Sequence, residues 1–368
     1  MPTADELLGA GVVDDLVVCL GGRMPGTAST TEHFTGLSLS DRTRLVRDAL
    51  LAELPGKYAP FEKKIRAASR KSGFTGWMIW PVTEALAIRA TSEGPHEFDS
   101  GLTLLSELTS RLTGEFAIRT FMDADLDRTL DAALAWTTHE DEHVRRLASE
   151  GTRPFLPWAR RVSALTVRPD ATTAILDALY RDESEYVRRS VANHLNDLSR
   201  TDPELVVEQA RKWTSAPDAN TPKLVRHALR TLIKKGDPDA LALLGFGPPD
   251  GIVVENLAVT PSHVPLGGSI GFAFDLHNTV AGNTDAGNTG TAQSVAVDYV
   301  VHHVKANGSR SPKVFKLTTR SLESGARVAI TRTHSFKPIS TRKYYPGEHV
   351  LEIQVNGSTL AQAVFTLG

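Results

Sequence analysis

The hydrophobic pattern changes period once along the chain. Up to about residue 245 apolar positions recur at helical spacing; beyond 251 they alternate. Between 139 and 236 the helical pattern says one thing three times. Asp141-Glu142-His143-Val144-Arg145-Arg146 returns as Glu183-Ser184-Glu185-Tyr186-Val187-Arg188-Arg189 and as Thr221-Pro222-Lys223-Leu224-Val225-Arg226-His227. The anchors Val144, Val187 and Val225 are 43 and 38 residues apart. A period of roughly 40–47 residues carried by helix pairs is the signature of HEAT-like repeats. In the middle copy Val187, Val191 and Leu195 form a buried stripe, and Arg189, Asn193 and Asp197 a polar one. Stacked repeats would align their paired cations along one face.

The pattern predicts a helix after a Ser40 or Asp41 cap, and others over Tyr58–Lys71, Leu104–Leu112 and from Glu115. Leu126–Thr137 and His139–Glu150 form the first well-marked pair. Ala171–Tyr180, Pro203–Trp213 and Pro222–Lys235 complete the helical region. Trp77 and Trp80, three apart in an apolar run, read as core. The stretch Thr152 to Arg161 holds Pro154 and Pro157, which stop a regular helix, and sets Trp158 near two arginines on a loop.

Residues 245–251 (Gly-Phe-Gly-Pro-Pro-Asp-Gly) read as a linker. The expected domains are therefore 1–245 and 251–368. Seven alternating segments follow, near 252–254, 269–276, 294–301, 313–317, 327–330, 349–355 and 362–367, with hairpin turns at Asn307-Gly308 and Asn356-Gly357. About seven strands in this length suggest an immunoglobulin-like sandwich. Asn278–Gly290, rich in Gly, Asn and Thr, reads as a long mobile loop. The fold class is thus multidomain: an all-α HEAT-like solenoid followed by an all-β immunoglobulin-like sandwich.

Charge sharpens the picture only through its distribution. The net charge is −2, but 139–236 carry 17 Lys/Arg against 14 Asp/Glu, and 251–368 carry 10 against 7, leaving −8 for the remainder. Local positive charge on an acidic body suits phosphate binding with little non-specific adhesion, although charged helix faces are also ordinary. The single cysteine, Cys19, excludes an intramolecular disulfide and a multi-cysteine zinc site. The first residues are acidic where a secretory leader is basic, and no apolar run approaches the ~18 residues of a membrane span. A cytoplasmic protein without membrane contact is expected. Nucleotide-binding and hydrolase motifs are absent from the sequence, and His302 and His303, adjacent on a strand, face opposite ways and cannot easily share a metal. No cofactor or metal is expected.

Four stretches carry a resemblance: Trp77-Met78-Ile79-Trp80-Pro81, Thr113-Gly114-Glu115-Phe116-Ala117-Ile118-Arg119, Val144 through Glu150-Gly151-Thr152-Arg153-Pro154-Phe155-Leu156-Pro157-Trp158, and Val187 through Asn193-His194-Leu195-Asn196-Asp197. Together they resemble the HEAT-repeat alkylpurine DNA glycosylases of the AlkC type, in the version with an appended immunoglobulin-like domain. That family excises cationic N3-alkylated bases, typically 3-methyladenine, from double-stranded DNA without base flipping. The resemblance implies a base-excision repair enzyme, monomeric and nucleoid-associated when bound, with Glu115, Trp158 and Asp197 as the catalytic set. Arg145, Arg146, Arg153, Arg188 and Arg189 would hold phosphates, with Lys305 and Arg310 beside the Asn307-Gly308 turn. Lys313 and Lys316 extend that cluster, and Glu150, four residues after Arg146, would form a supporting ion pair.

Residue type alone leaves plainer roles open. Asp197 fits a helix-surface residue, Glu115 a carboxylate complementing a helix dipole, and Trp158 a plug between repeats. The rival reading is a non-enzymatic HEAT scaffold binding protein or DNA. Such a scaffold calls for an apolar or mixed groove, and a glycosylase for a cationic one with carboxylates and an exposed tryptophan.

Overall fold

The computed structural model describes residues 2–54, 56–280, 292–339 and 342–368. The chain forms two compact units, 1–228 and 229–368. The first is α-helical. The second holds two short helices and a β-sandwich. The linker expected at 245–251 lies inside the second unit. Most of the loop predicted over 278–290 lies outside the described residues.

The repeat pattern becomes three helix pairs: Leu126–Trp136 with Glu142–Glu150, Thr173–Leu179 with Glu185–Leu198, and Pro203–Ser215 with Thr221–Ala228. The anchors Val144, Val187 and Val225 are all buried, each contributing about 1.5–3 kcal/mol relative to exposure. Helix starts follow local chemistry. Asp125, Asp141 and Asp202 accept backbone N–H groups at N-caps, each worth about 1 kcal/mol.

Several helix bounds differ from the sequence expectation: the helix expected over Pro222–Lys235, for example, is broken into Thr221–Ala228 and Arg230–Lys235, and that expected from His139 begins at Glu142. The helix expected after Ser40 or Asp41 begins at Leu39, because Ser38 supplies the cap by accepting from Asp41 N–H. The helix expected from Leu104 begins at Pro95, where Pro favours the first turn and Glu97 folds back to Gly94 N–H at 3.2 Å. The helix expected from Glu115 begins at Ile118. Gly114 to Phe116 form the preceding turn, and that turn frees the Glu115 side chain for the site. Of the two tryptophans expected in the core, Trp80 is buried and Trp77 is half-buried.

In the second unit the helix Arg230–Lys235 ends at Gly236, whose φ of 76° is left-handed. A Cβ there would stand 2.9 Å from the Gly357 Cα, so the two glycines let this helix end meet a hairpin. The strands are β1 (Ile252–Thr260), β2 (His263–Val264), β3 (Ser269–Asn278), β4 (Gln293–Val304), β5 (Arg310–Leu322), β6 (Arg327–Ser335), β7 (Gly347–Val355) and β8 (Ser358–Leu367). They form two sheets, β1-β3-β6 and β2-β8-β7-β4-β5. Of these strands, β2 alone has no counterpart among the seven expected. It is two residues long and pairs in parallel with β8, so no local alternation marks it. Asn356 and Gly357 both take positive φ between β7 and β8, as a tight hairpin turn requires. Phe272, Phe274 and Leu276 of β3 face Val297, Tyr299 and Val301 of β4 and Leu351 and Ile353 of β7 in one core.

That core contains three imidazoles. His303 is T-shaped against His349 and tilted against His334, with centroids 5.8 and 6.0 Å apart. Arg342 lies 3.1 Å from His303 Nε2, and the Tyr299 hydroxyl 3.0 Å from His334 Nδ1. His302, by contrast, points to the other face and lies 3.1 Å from Glu352. Burial, reinforced by the Arg342 charge, pulls His303 down to about 3 and His334 down to about 4; burial also lowers His349. The fold therefore holds the neutral rings. Between the folded and unfolded pKa values the unfolded chain binds more protons, so stability present above about pH 6.5 is lost as pH falls. We expect the sandwich to lose up to about 1.4 kcal/mol per pH unit for each of these histidines below that point. Hydrogen exchange of β4 and β7 amides from pH 7.5 to 4.5 measures this, and His334→Phe is expected to flatten the dependence.

Candidate active site

A row of alternating charges crosses the helical unit. It begins at Glu115, in the turn before Ile118–Ala124. Arg146 Nη1 donates to Glu115 Oε2 at 2.8 Å and to Thr113 Oγ1 at 3.1 Å. Thr113 in turn donates to the same carboxylate at 3.0 Å. Arg146 Nη2 lies 3.5 Å from Glu150 Oε1, the ion pair the i,i+4 spacing implied. Arg153 Nη1 donates to that same oxygen at 2.6 Å, and its Nε donates to Asp197 Oδ2 at 2.9 Å. The sequence acid, base, acid, base, acid carries a net −1, so the cluster as a whole favours a cation.

Burial grades along the row. Side-chain exposure falls from 13% at Glu115 to 4% at Asp197. Burial raises the Asp197 carboxyl above its ordinary range, more than the Arg153 bond lowers it. Burial also disfavours the Arg153 cation, but bonds to Asp197 and Glu150 more than offset this, and its pKa is raised.

The scaffold beneath the row is polar and satisfied. His194 Nδ1 meets Ser149 O at 2.8 Å and Nε2 meets Thr172 Oγ1 at 3.0 Å. Burial holds its pKa down to about 3, so a neutral ring donates from Nδ1 and accepts at Nε2. The Ser149 and Ser190 hydroxyls are 2.6 Å apart. These contacts join Glu142–Glu150 to Glu185–Leu198 and so set Glu150 against Asp197.

Trp158 sits on the loop that joins these repeats. It is 81% exposed and has a φ of 63°, a left-handed conformation that costs a bulky residue about 1–3 kcal/mol and that clusters at functional sites. The loop around it is braced. Buried Arg119 donates to the carbonyls of Gly151, Arg153 and Arg160. Arg161 and Arg200 lie over the Phe155 ring at 4.9 and 4.8 Å. Arg119 has no carboxylate in these contacts, and burial brings its pKa down to about 10. Sequence reasoning missed the roles of Arg119 and His194. The available signal was one charged residue inside the apolar run Ala117-Ile118-Arg119-Thr120-Phe121-Met122.

The remaining arginines divide. In each of the first two repeats the first arginine folds back on its own helix start. Arg145 donates to His139 O and Glu140 O, and Arg188 to Asp182 O and Glu183 O, the same offsets of six and five residues. Arg145 also grips Asp182 at 2.7 and 3.1 Å. Expected on a phosphate-facing column, these two guanidinium groups brace the repeats, and Arg153 is held between two carboxylates. Arg189 instead stands exposed, 3.5 Å from Glu185. In the sandwich Lys305 is exposed at its hairpin, and Arg310 pairs with Glu348 at 2.5 Å. Among the described residues no group of three or more His, Cys, Asp or Glu is placed to hold a metal.

Arg153→Met leaves buried Asp197 without its cation and Glu150 with Arg146 alone. We expect a loss of about 3–5 kcal/mol at pH 7.5. The loss should shrink toward pH 5, because burial raises the Asp197 carboxyl and its protonation removes the uncompensated charge. Thermal unfolding of both proteins across pH checks the magnitude and its sign.

Comparison with known proteins matches this architecture. A family profile described as "DNA alkylation repair enzyme" covers residues 111–232. A second, described as "Uncharacterised protein YhaZ, C-terminal Ig-like domain", covers residues 253–368. The Bacillus subtilis (strain 168) protein "Uncharacterized protein YhaZ" is 36% identical over 327 residues, 89% of this chain and 86% of the relative. The solved structure of the Pseudomonas fluorescens alkylpurine DNA glycosylase AlkC, bound to DNA containing an abasic site analog, is 34% identical. It covers 100% of this chain and 99% of its own, with a TM-score of 0.76. No helix among the described residues is long and apolar enough to cross a membrane. By its repeats, its ion-pair row and these relatives, the chain belongs to the DNA alkylation repair family of the AlkC/AlkD type, in the form that carries a YhaZ-type C-terminal immunoglobulin-like domain.

Proposed function

We propose that the protein hydrolyses the N-glycosidic bond of cationic N3-alkylated bases, 3-methyladenine and its relatives, in double-stranded DNA, without flipping the base into a pocket. One observation carries this reading: the buried row from Glu115 to Asp197, with net negative charge, beside an exposed, strained Trp158. The row also braces the repeats, but a non-enzymatic scaffold gives no reason for the exposed, strained Trp158.

The chemistry follows from charge. An N3-alkylated adenine is already cationic and leaves without a general acid. As the bond breaks, positive charge moves onto the deoxyribose in an oxocarbenium-like transition state. Glu115 and Asp197, held in place before the reaction, stabilise that charge where it develops, and one of them orients the attacking water. Arg146 and Arg153 keep the carboxylates fixed. The Trp158 ring packs on the sugar and attracts the cationic base, worth on the order of 0.5–2 kcal/mol. Arg189 in the helical unit and Lys305 and Arg310 in the sandwich contact phosphates and fix register without reading sequence.

Three measurements follow. Asp197→Ala and Glu115→Ala should each slow single-turnover release of 3-methyladenine by ~10²–10³, with folding checked by circular dichroism. Wild-type rates in both folded variants would overturn the assignment. A site without a leaving-group acid should release uracil poorly from the same duplex; efficient release contradicts the mechanism. Neutralising Lys305 and Arg310 together should weaken DNA binding and lower the log–log salt slope by about one for each phosphate the protein no longer neutralises. An unchanged slope removes the sandwich from the DNA interface.

A further inference from the structure

A pocket of about 180 Å³ lies beside the Trp158 loop, formed by residues that the ion-pair row does not use apart from Trp158 itself. Its walls are aromatic. Trp80 stacks on Phe116 with centroids 4.3 Å apart and 23° between the rings, and the Trp158 indole supplies another wall. Its polar lining includes Glu84, Arg44 and Arg160. Glu84 is fixed in place, since Trp80 Nε1 donates to Oε1 at 3.0 Å and Arg47 Nη1 to Oε2 at 3.1 Å. Both carboxylate oxygens keep lone pairs for a further donor.

These features select a ligand. Flat aromatic walls favour a flat ring through stacking, worth about 1–3 kcal/mol per base at such platforms. A cavity of about 150 Å³ holds one benzene ring, so the volume suits one heteroaromatic base and little more. A carboxylate beside guanidinium groups matches an edge where an exocyclic amine adjoins ring-nitrogen acceptors, as in adenine. Trp158, whose backbone is left-handed, lines this pocket.

We propose that the pocket binds an amino-bearing nucleobase of the adenine type. Resting on the glycosylase reading, the base has two sources: the purine freed when the bond is cut, or an undamaged neighbour of the lesion, unstacked but still attached to the bound strand. In the first case the pocket clears the leaving base from the duplex. In the second it anchors the distorted strand.

The test uses the full-length protein and two variants. Ile88→Phe fills the pocket from a half-buried wall position. Glu84→Gln keeps its volume and removes the carboxylate charge. All five tryptophans lie in the helical unit and two line the pocket, so intrinsic fluorescence reports occupancy. Free adenine, 3-methyladenine and hypoxanthine are titrated in one arm. In the other, 2-aminopurine is placed next to an abasic analog in a duplex, where unstacking raises its emission. Saturable quenching by adenine and 3-methyladenine that Ile88→Phe weakens at least tenfold identifies the freed base. A rise in 2-aminopurine emission that Ile88→Phe abolishes identifies the strand base. In either case Glu84→Gln should cut the preference for adenine over hypoxanthine several-fold. Wild-type titrations in folded Ile88→Phe, or no response in either arm, overturn the proposal. Should Ile88→Phe fail to fold, an unchanged adenine preference in Glu84→Gln overturns it equally. Base release from alkylated DNA is scored in parallel. Release without pocket binding rejects the pocket alone, whereas pocket binding without release rejects the glycosylase reading.

Discussion

The helical unit depends on one guanidinium. Arg153 lies in the interior between Glu150, on its own repeat, and Asp197, on the next. Neither carboxylate tolerates burial ionised without a partner, and Arg153 has no water to fall back on. The three therefore fix one another, and through Arg146 they fix Glu115 as well. A hydrophobic core would stack the same helices and leave their relative rotation looser. The ion-pair row sets that rotation, so that carboxylates from separate helix pairs fall in a single line.

Placing charges inside a protein is unfavourable unless every lone pair and proton is met. Most of the surroundings meet that condition with neutral groups, although Arg119 Nη2 is buried without a partner. His194 is kept uncharged and donates to Ser149 O, and the Ser149 and Ser190 hydroxyls bond across the same helix pair. Arg119 serves carbonyls alone. Apart from Arg119, polar but neutral contacts carry the packing around the row. The sandwich solves a similar problem differently. Its buried histidines are held neutral by burial, with the Arg342 charge reinforcing this at His303 and His334.

Much of this was legible in the sequence. The valine anchors gave the repeat, and alternation gave seven strands, because both periods follow directly from which face must be dry. The residues of the row were also visible, as members of short motifs. Their connection was not. That Arg146 turns to Glu115 while Arg145, its neighbour, turns to Asp182 depends on a rotation of about 100° per residue and on which helix lies across the groove. No local pattern states the second of these. The expected helix from Glu115 shows the same limit. Propensity favours a helix there, but Thr113, Gly114 and Arg146 together hold a turn. The two-residue strand β2 was invisible for another reason, since its partner lies about a hundred residues away.

The contacts that Arg145, Arg153 and Arg188 make between repeats have a consequence for how such a chain can vary in length. Each of these repeats ties off the carbonyls at the start of its own helix with its first arginine, which also reaches the next repeat, Arg145 to Asp182 and Arg188 to Asn220. The bond from Arg153 to Asp197 crosses from one repeat to the next and belongs to neither. An extra repeat inserted between Arg153 and Glu185 would carry the two apart by the thickness of a helix layer, about 10 Å. A change in repeat number at this join would therefore break the row that sets Glu150 against Asp197.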